Sequence, residues 1–303
     1  MLGMSTRQAI THTAILLTLL AGLTACSSSE PPLPTPTPLP PTSTPEPTFT
    51  IPPSPPTNTA TPAPPVCLSQ PGRIEEGLLD TTTPPQAYFI YLPPCYTENT
   101  DQRYPVLYLL HGQTYTADQW IRLGAADALD TLILSGEAQP FIIVFPDDRY
   151  WNLPPGAGFG QRLVEDLIPY IDSTYRTLPD RTHRAIGGLS RGGGWALRLG
   201  FTRWDLFSVI GLHSPAVFQG DASQIARWLA GIPSAYRPSV FLDIGDKDQE
   251  WRMAVALEEQ FNASGLIHEW RLYSGAHTED YWSAHVQEYI RWYAEQWNDA
   301  PQP

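Results

Sequence analysis

Residues 184 to 197 read RAIGGLSRGGGWAL. One serine stands among five glycines, directly after a short apolar run. Glycine loses more conformational freedom on folding than any other residue, so such a cluster needs a reason in the backbone. Gly188-Leu189-Ser190-Arg191-Gly192 supplies one, because it fits the pattern G-x-S-x-G. In that arrangement a strand turns sharply into a helix, and the serine occupies the strained tip. The residues two positions to either side must then be minimal. A turn of this kind demands a sheet strand before it and a helix after it, so it constrains the architecture of the whole chain.

The surrounding sequence meets that demand. Apolar runs of strand length are expected at 88–92, 106–110, 141–145, 208–212, 240–244 and 269–273, and residues 185–186 lead into the glycines. Helical spacing covers 125–134, 161–175, 194–201, 251–261 and 280–297. In the second of these, Leu163, Leu167, Ile168 and Ile171 share one side. Continuous apolar strands separated by helices imply a mostly parallel sheet with helices on both faces. The expected fold class is α/β, with residues 66–303 as one domain.

A serine hydroxyl alone is a poor nucleophile. It needs a base to take its proton and a carboxylate to orient that base. In a sheet of this kind the order along the chain is serine, acid, histidine. Residues 240–248 read as a strand running into an acidic turn. Asp243 falls inside the strand and is taken as structural, and Asp248 is preferred to Asp246 as the acid. Residues 273–277 run from a strand into a short loop that ends in His277, the leading base. His285 is expected to pack on the last helix and His213 to line the cleft. His183 and His268 are read as solvated or edge positions. A developing oxyanion calls for two backbone N–H groups. Arg191, after the nucleophile, offers one, and Gln113, after Leu110-His111-Gly112, offers the other.

The first residues have a different character. Residues 14–21 form a short apolar core, too short to span a bilayer, and read as a signal peptide. It ends in Leu23-Thr24-Ala25-Cys26, which resembles a bacterial lipobox and implies lipidation of Cys26. Residues 31 to 65 hold 16 of the chain's 33 prolines, mixed with serine and threonine. That composition builds no core and favours extended polyproline II, about 3.1 Å per residue. The expected organisation is a signal peptide at 1–25, a tether at 26–65 and a domain at 66–303. The protein is then anchored by Cys26 to a bacterial membrane in the cell envelope, on its extracytoplasmic side. The two remaining cysteines, Cys67 and Cys95, are expected to form a disulfide outside the cytoplasm. The formal net charge of −13 argues against nucleic acid as a partner.

At the residues around Ser190 the chain resembles an esterase family of the α/β hydrolases. That family includes feruloyl esterases, S-formylglutathione hydrolases, enterochelin esterases and mycolyltransferases. The matching stretches are 104–112 (YPVLYLLHG), 167–172 (LIPYID), 184–193 (RAIGGLSRGG), Leu206-Phe207 and Gly275-Ala276-His277. The resemblance implies an α/β-hydrolase fold, nucleophile Ser190, base His277, acid Asp248, and oxyanion N–H groups at Gln113 and Arg191. Many members have methionine where this chain has Arg191. No metal site and no cofactor are expected, since cysteines are few and the glycine cluster lacks a phosphate-loop lysine. The implied activity is that of an extracytoplasmic serine carboxylesterase working through an acyl-enzyme. Its substrate would be a small-molecule or glycan-linked ester, with carbohydrate-linked or aromatic acyl esters foremost. Trp120, Trp151 and Trp282 are candidates to line its cleft. Two other readings stay open: an acyltransferase acting on envelope components, and an inactive hydrolase fold that serves as a binding module.

Overall fold

Eight strands form one sheet in a computed structural model that describes residues 66–149 and 158–298. The signal peptide, the tether, Cys26 and Trp151 lie outside the described residues. The strands are β1 (Arg73–Leu79), β2 (Gln86–Leu92), β3 (Val106–Leu110), β4 (Ile142–Pro146), β5 (Arg184–Leu189), β6 (Val209–His213), β7 (Ser239–Gly245) and β8 (His268–Tyr273). Their spatial order is β1-β2-β4-β3-β5-β6-β7-β8. β1 and β2 pair antiparallel, β2 is antiparallel to β4, and every pairing from β4 to β8 is parallel.

The parallel strands read as unbroken apolar runs because both of their faces are covered. β3 shows this most simply. Val106, Tyr108 and Leu110 join one core, while Leu107 and Leu109 join the other. Among the described residues, eight α-helices accompany the sheet: α1 (Gln119–Arg122), α2 (Ala125–Ser135), α3 (Phe159–Arg162), α4 (Ile168–Thr174), α5 (Arg191–Thr202), α6 (Ile225–Gly231), α7 (Trp251–Ser264) and α8 (Glu279–Asn298). Leu197 of α5 and Phe261 of α7 belong to the first core, and Leu129 of α2 and Tyr289 of α8 to the second. Each fully buried apolar side chain of this size contributes about 1.5–3 kcal/mol.

Two helices differ from the sequence expectation. The helix expected over 161–175 is interrupted, because Leu163–Leu167 form a π turn between α3 and α4. Pro169 stands at the start of α4 and has no N–H to give, so an unbroken α-helical ladder cannot pass through it. The helix expected from residue 194 instead begins at Arg191, immediately after the serine. Cys67 and Cys95 are disulfide-bonded, with their Cα atoms 5.0 Å apart.

The chain reverses just beyond the C-terminal ends of β3, β5, β7 and β8. Those four ends carry His111-Gly112, Ser190, Asp246 to Asp248, and Gly275 to His277. Ligands of open parallel sheets bind at this edge.

Candidate active site

The glycines around Ser190 answer to backbone, not to flexibility. Ser190 itself takes φ 52° and ψ −119°, a conformation that costs a non-glycine residue about 1–3 kcal/mol. Its carbonyl accepts the N–H groups of Gly194 and Ala216, and its own N–H donates to the carbonyl of His213. Those three bonds fix the strained tip. A Cβ on Gly188 would stand 2.4 Å from the carbonyl carbon of Gly192, and one on Gly192 would stand 2.1 Å from the carbonyl oxygen of Leu110. Backbone cannot yield as a flexible side chain can, so both positions admit only glycine.

The hydroxyl of Ser190 lies 2.8 Å from Nε2 of His277. Nδ1 of the same ring lies 2.8 Å from Oδ2 and 3.0 Å from Oδ1 of Asp248. A carboxylate only accepts, so Nδ1 carries the ring hydrogen and Nε2 is left to accept from the hydroxyl. Asp248 is buried, and its Oδ1 also accepts the N–H of Glu250. Trp282 packs edge-on against the imidazole, with ring centroids 4.9 Å apart. The ring of His277 is therefore held by a carboxylate and by a perpendicular indole.

Asp246 does something else. Its Oδ1 accepts the N–H of Gly275 at 2.9 Å, and its own N–H donates to the carbonyl of Tyr273. It shapes the turn that delivers His277 without touching the ring nitrogens.

Arg191 opens α5, where the first backbone N–H groups have no partner within the helix. Gln113 follows Gly112 in a loop laid directly on Ser190. A Cβ on Gly112 would be 2.9 Å from Cδ1 of Leu189 and 3.7 Å from Cβ of Ser190. His111 fixes this loop from beneath. Its Nε2 accepts the N–H of Asp148 at 2.8 Å, so its Nδ1–H donates to the carbonyl of Gly112 at 2.7 Å.

The Arg191 side chain is pinned to the floor of the site. Its Nε donates to Oδ2 of Asp148 at 2.8 Å, and the indole of Trp195 donates to the same oxygen at 2.9 Å. Burial pushes the Asp148 carboxyl above the usual carboxylate range, against the opposing pull of Arg191. The guanidinium thus takes a fixed course over Trp195 and Phe218. Sequence reasoning flagged Arg191 but had no signal for Asp148, which lies 43 residues away.

Several expected cleft residues are elsewhere. His213 lies wholly buried inside the sheet, where Asp243 and Tyr293 satisfy both ring nitrogens. Trp120 is buried, and its indole donates to the carbonyl of Leu110. Trp282 serves as backing for His277 and offers no exposed platform. His268 packs against Phe261, and His285 stacks on Tyr273. His183 is held by Asp180. Among the described residues, no three His, Cys, Asp or Glu side chains cluster as metal ligands, and no helix is long and apolar enough to cross a membrane.

Comparison with known proteins gives one family. The profile of the family described as "Putative esterase" matches residues 84–293. An endo-1,4-beta-xylanase/feruloyl esterase of Xylanibacter ruminicola is 29% identical over 63% of this chain and 27% of its own length. An esterase of Mycobacterium tuberculosis is 33% identical over 52% of this chain and 34% of its own. The matched region thus spans about a quarter to a third of these relatives. A solved ferulic acid esterase superposes with a TM-score of 0.68 at 25% identity, covering 75% of this chain and all of that one.

Proposed function

The chain belongs to this esterase family, and we propose that it is a serine carboxylic ester hydrolase in which Ser190, His277 and Asp248 act as a triad. The observation that carries the reading is the 2.8 Å contact between His277 Nε2 and Ser190 Oγ, made across 87 residues of sequence. The Ser190 hydroxyl attacks the ester carbonyl carbon and passes its proton to His277 Nε2. The N–H groups of Gln113 and Arg191 receive the developing oxyanion. The intermediate collapses, the carbon–oxygen bond to the alcohol breaks, and Nε2–H protonates the departing oxygen. Water then repeats the sequence on the acyl-enzyme and releases the acid. Asp248 stabilises the imidazolium in both halves without itself taking a proton. Each oxyanion donor is worth about 2.7–4 kcal/mol in such a mechanism.

The substrate class we infer is an aromatic acyl ester, carried on carbohydrate. Its support is that relatives at 29% and 25% identity are feruloyl and ferulic acid esterases. The test is labelling of the protein with a fluorophosphonate, followed by turnover of methyl ferulate and nitrophenyl acetate. The wild type is expected to label and to cleave both esters, and Ser190→Ala to do neither. Absence of labelling in the wild type defeats the triad. Cleavage of the acetate alone defeats the aromatic preference.

We also propose that Cys26 is the lipid attachment point, on the extracytoplasmic side of a bacterial membrane, with residues 26–65 as the tether of a domain over 66–303. The basis is Leu23-Thr24-Ala25-Cys26 and the proline-rich stretch behind it. Cell fractionation checks it: Cys26→Ser should leave the membrane fraction, and retention there would refute the anchor.

A further inference from the structure

The proposed reaction needs the oxyanion loop and the base loop fixed against the same serine. These loops lie far apart in sequence, at His111 to Gln113 and at Gly275 to His277. One buried side chain touches both neighbourhoods. Gln119, the first residue of α1, is wholly buried, and its Oε1 accepts the N–H of Gly112 at 2.8 Å. Its Nε2 donates to Oε1 of Glu279 at 3.1 Å. Glu279 is the first residue of α8 and stands two residues after His277.

We propose that Gln119 and Glu279 are positioning residues, a bridge that sets the oxyanion loop at a fixed place relative to the catalytic base. The role rests on the hydrolase reading above, but the bridge itself is a structural claim. The chemistry of a primary amide makes it directional. The carbonyl end takes the Gly112 N–H, so the amide end must find an acceptor, and the Glu279 carboxylate is that acceptor. The Gly112 N–H is turned toward Gln119 and the Gly112 carbonyl is held by His111, so each of the two peptide planes that meet at Gly112 is tied, the second of them being the plane that carries the Gln113 N–H. Trp120, the next residue, donates its indole N–H to the carbonyl of Leu110 at 2.9 Å. The four-residue α1 thus grips the stem of the loop with one side chain and its tip with another.

Arg122 also reaches Glu279, at 3.2 and 3.3 Å. That pair is exposed, with side-chain exposures of 44% and 32%, and exposed pairs contribute little. The buried amide is the part of the network able to transmit position. A misplacement of about 1 Å in a reacting constellation can cost on the order of 100-fold in rate. A loosened loop should therefore lower kcat more than it raises KM.

The experiment uses the full chain with Glu279→Ala, Glu279→Gln and Arg122→Gln. Two readouts are taken: hydrogen exchange of the peptide covering residues 111–118, and steady-state hydrolysis of nitrophenyl acetate. Glu279→Ala should speed exchange at Gly112 and lower kcat, each about tenfold, with KM within about threefold. Glu279→Gln keeps a carbonyl for the Gln119 amide and should restore both to within about threefold. Arg122→Gln should leave both within about twofold. Unchanged exchange in Glu279→Ala overturns the bridge. So does a loss that Glu279→Gln fails to rescue, or an Arg122→Gln defect as large as that of Glu279→Ala, which would assign the effect to the ion pair. If the wild type hydrolyses nothing, the hydrolase reading falls, while the exchange result still judges the bridge.

Discussion

Asp246 and Asp248 flank Lys247 on a single turn, yet their carboxylates meet different groups. Asp248 receives the Nδ1–H of His277, and Asp246 receives the backbone N–H of Gly275. The two replacements by asparagine therefore have different consequences. In Asp248→Asn the amide can offer hydrogens to Nδ1, which favours the wrong tautomer and leaves Nε2 carrying the hydrogen it should accept. The expected loss in kcat is about 10⁴-fold. Asp246→Asn retains an oxygen that accepts from Gly275, so activity should stay within about tenfold of wild type. Steady-state kinetics on nitrophenyl acetate checks both, and a larger loss in Asp246→Asn would refute the assignment of the acid. At this scale the three side chains that meet at the site were legible because each carries a local signal: glycines around Ser190, strand-to-loop transitions before Asp248 and His277. Gln119, Glu279 and Asp148 carry none. Their contributions come from partners 7, 160 and 43 residues distant, and no short pattern encodes such pairings.

His277 stands just before the N-terminus of α8, so whatever holds this helix to the sheet also holds the proposed base. The fastening is a buried polar cluster. Asp243 of β7 accepts the hydroxyls of Tyr281 and Tyr289 at 2.6 and 2.8 Å on one oxygen, and the Nδ1–H of His213 at 2.7 Å on the other. The remaining His213 nitrogen accepts from the hydroxyl of Tyr293 at 3.1 Å. Tyr293 reaches so deep that a Cβ on Gly187 or Gly211 would stand 1.8 or 1.6 Å from its hydroxyl. Gly187, one of the five glycines clustered around Ser190 but outside the G-x-S-x-G pattern, thus makes room for α8. Tyr293→Phe loses one buried hydrogen bond and should cost about 1 kcal/mol. Asp243→Ala strands two hydroxyls and an imidazole N–H and should cost about 3–5 kcal/mol. Thermal unfolding is the measurement, with about 2–4 °C expected per kcal/mol in a domain of this size. Equal shifts in the two variants would mean that Asp243 is not the hub. The long apolar elements were legible from periodicity, whereas β1, α1 and α6 were not singled out. β1 is largely exposed and carries few apolar residues, and α1 is too short for a helical period to show. His213 was misplaced for a related reason: a polar residue at a strand end reads as a cleft residue unless its buried partners are known.

At the scale of the whole molecule, one margin of the sheet is covalently closed. β1 is an edge strand whose residues are mostly exposed or half-buried, and among the described residues it pairs only with β2. The disulfide from Cys67 to Cys95 joins the segment before β1 to the segment after β2, across 28 residues. Closing a loop of that length removes about 3–4 kcal/mol of chain entropy from the unfolded state. The bond also lies away from the chemistry. β2 runs antiparallel to β4, so its final residues stand beside the start of β4, with Tyr91 opposite Ile143. That edge of the sheet is opposite the one where β5 ends at Ser190. Stability and catalysis should therefore separate on reduction. Cys95→Ala, or reduction of the wild type, is expected to lower the melting temperature by on the order of 10 °C. At 25 °C the folded protein should retain kcat and KM within about twofold, because nothing in the contacts of Ser190, His277 or Asp248 passes through β1. Calorimetry and initial-rate assays on the same samples test the separation. A fall in kcat with no fall in melting temperature would show that the edge hairpin communicates with the opposite end of the sheet, contrary to the topology.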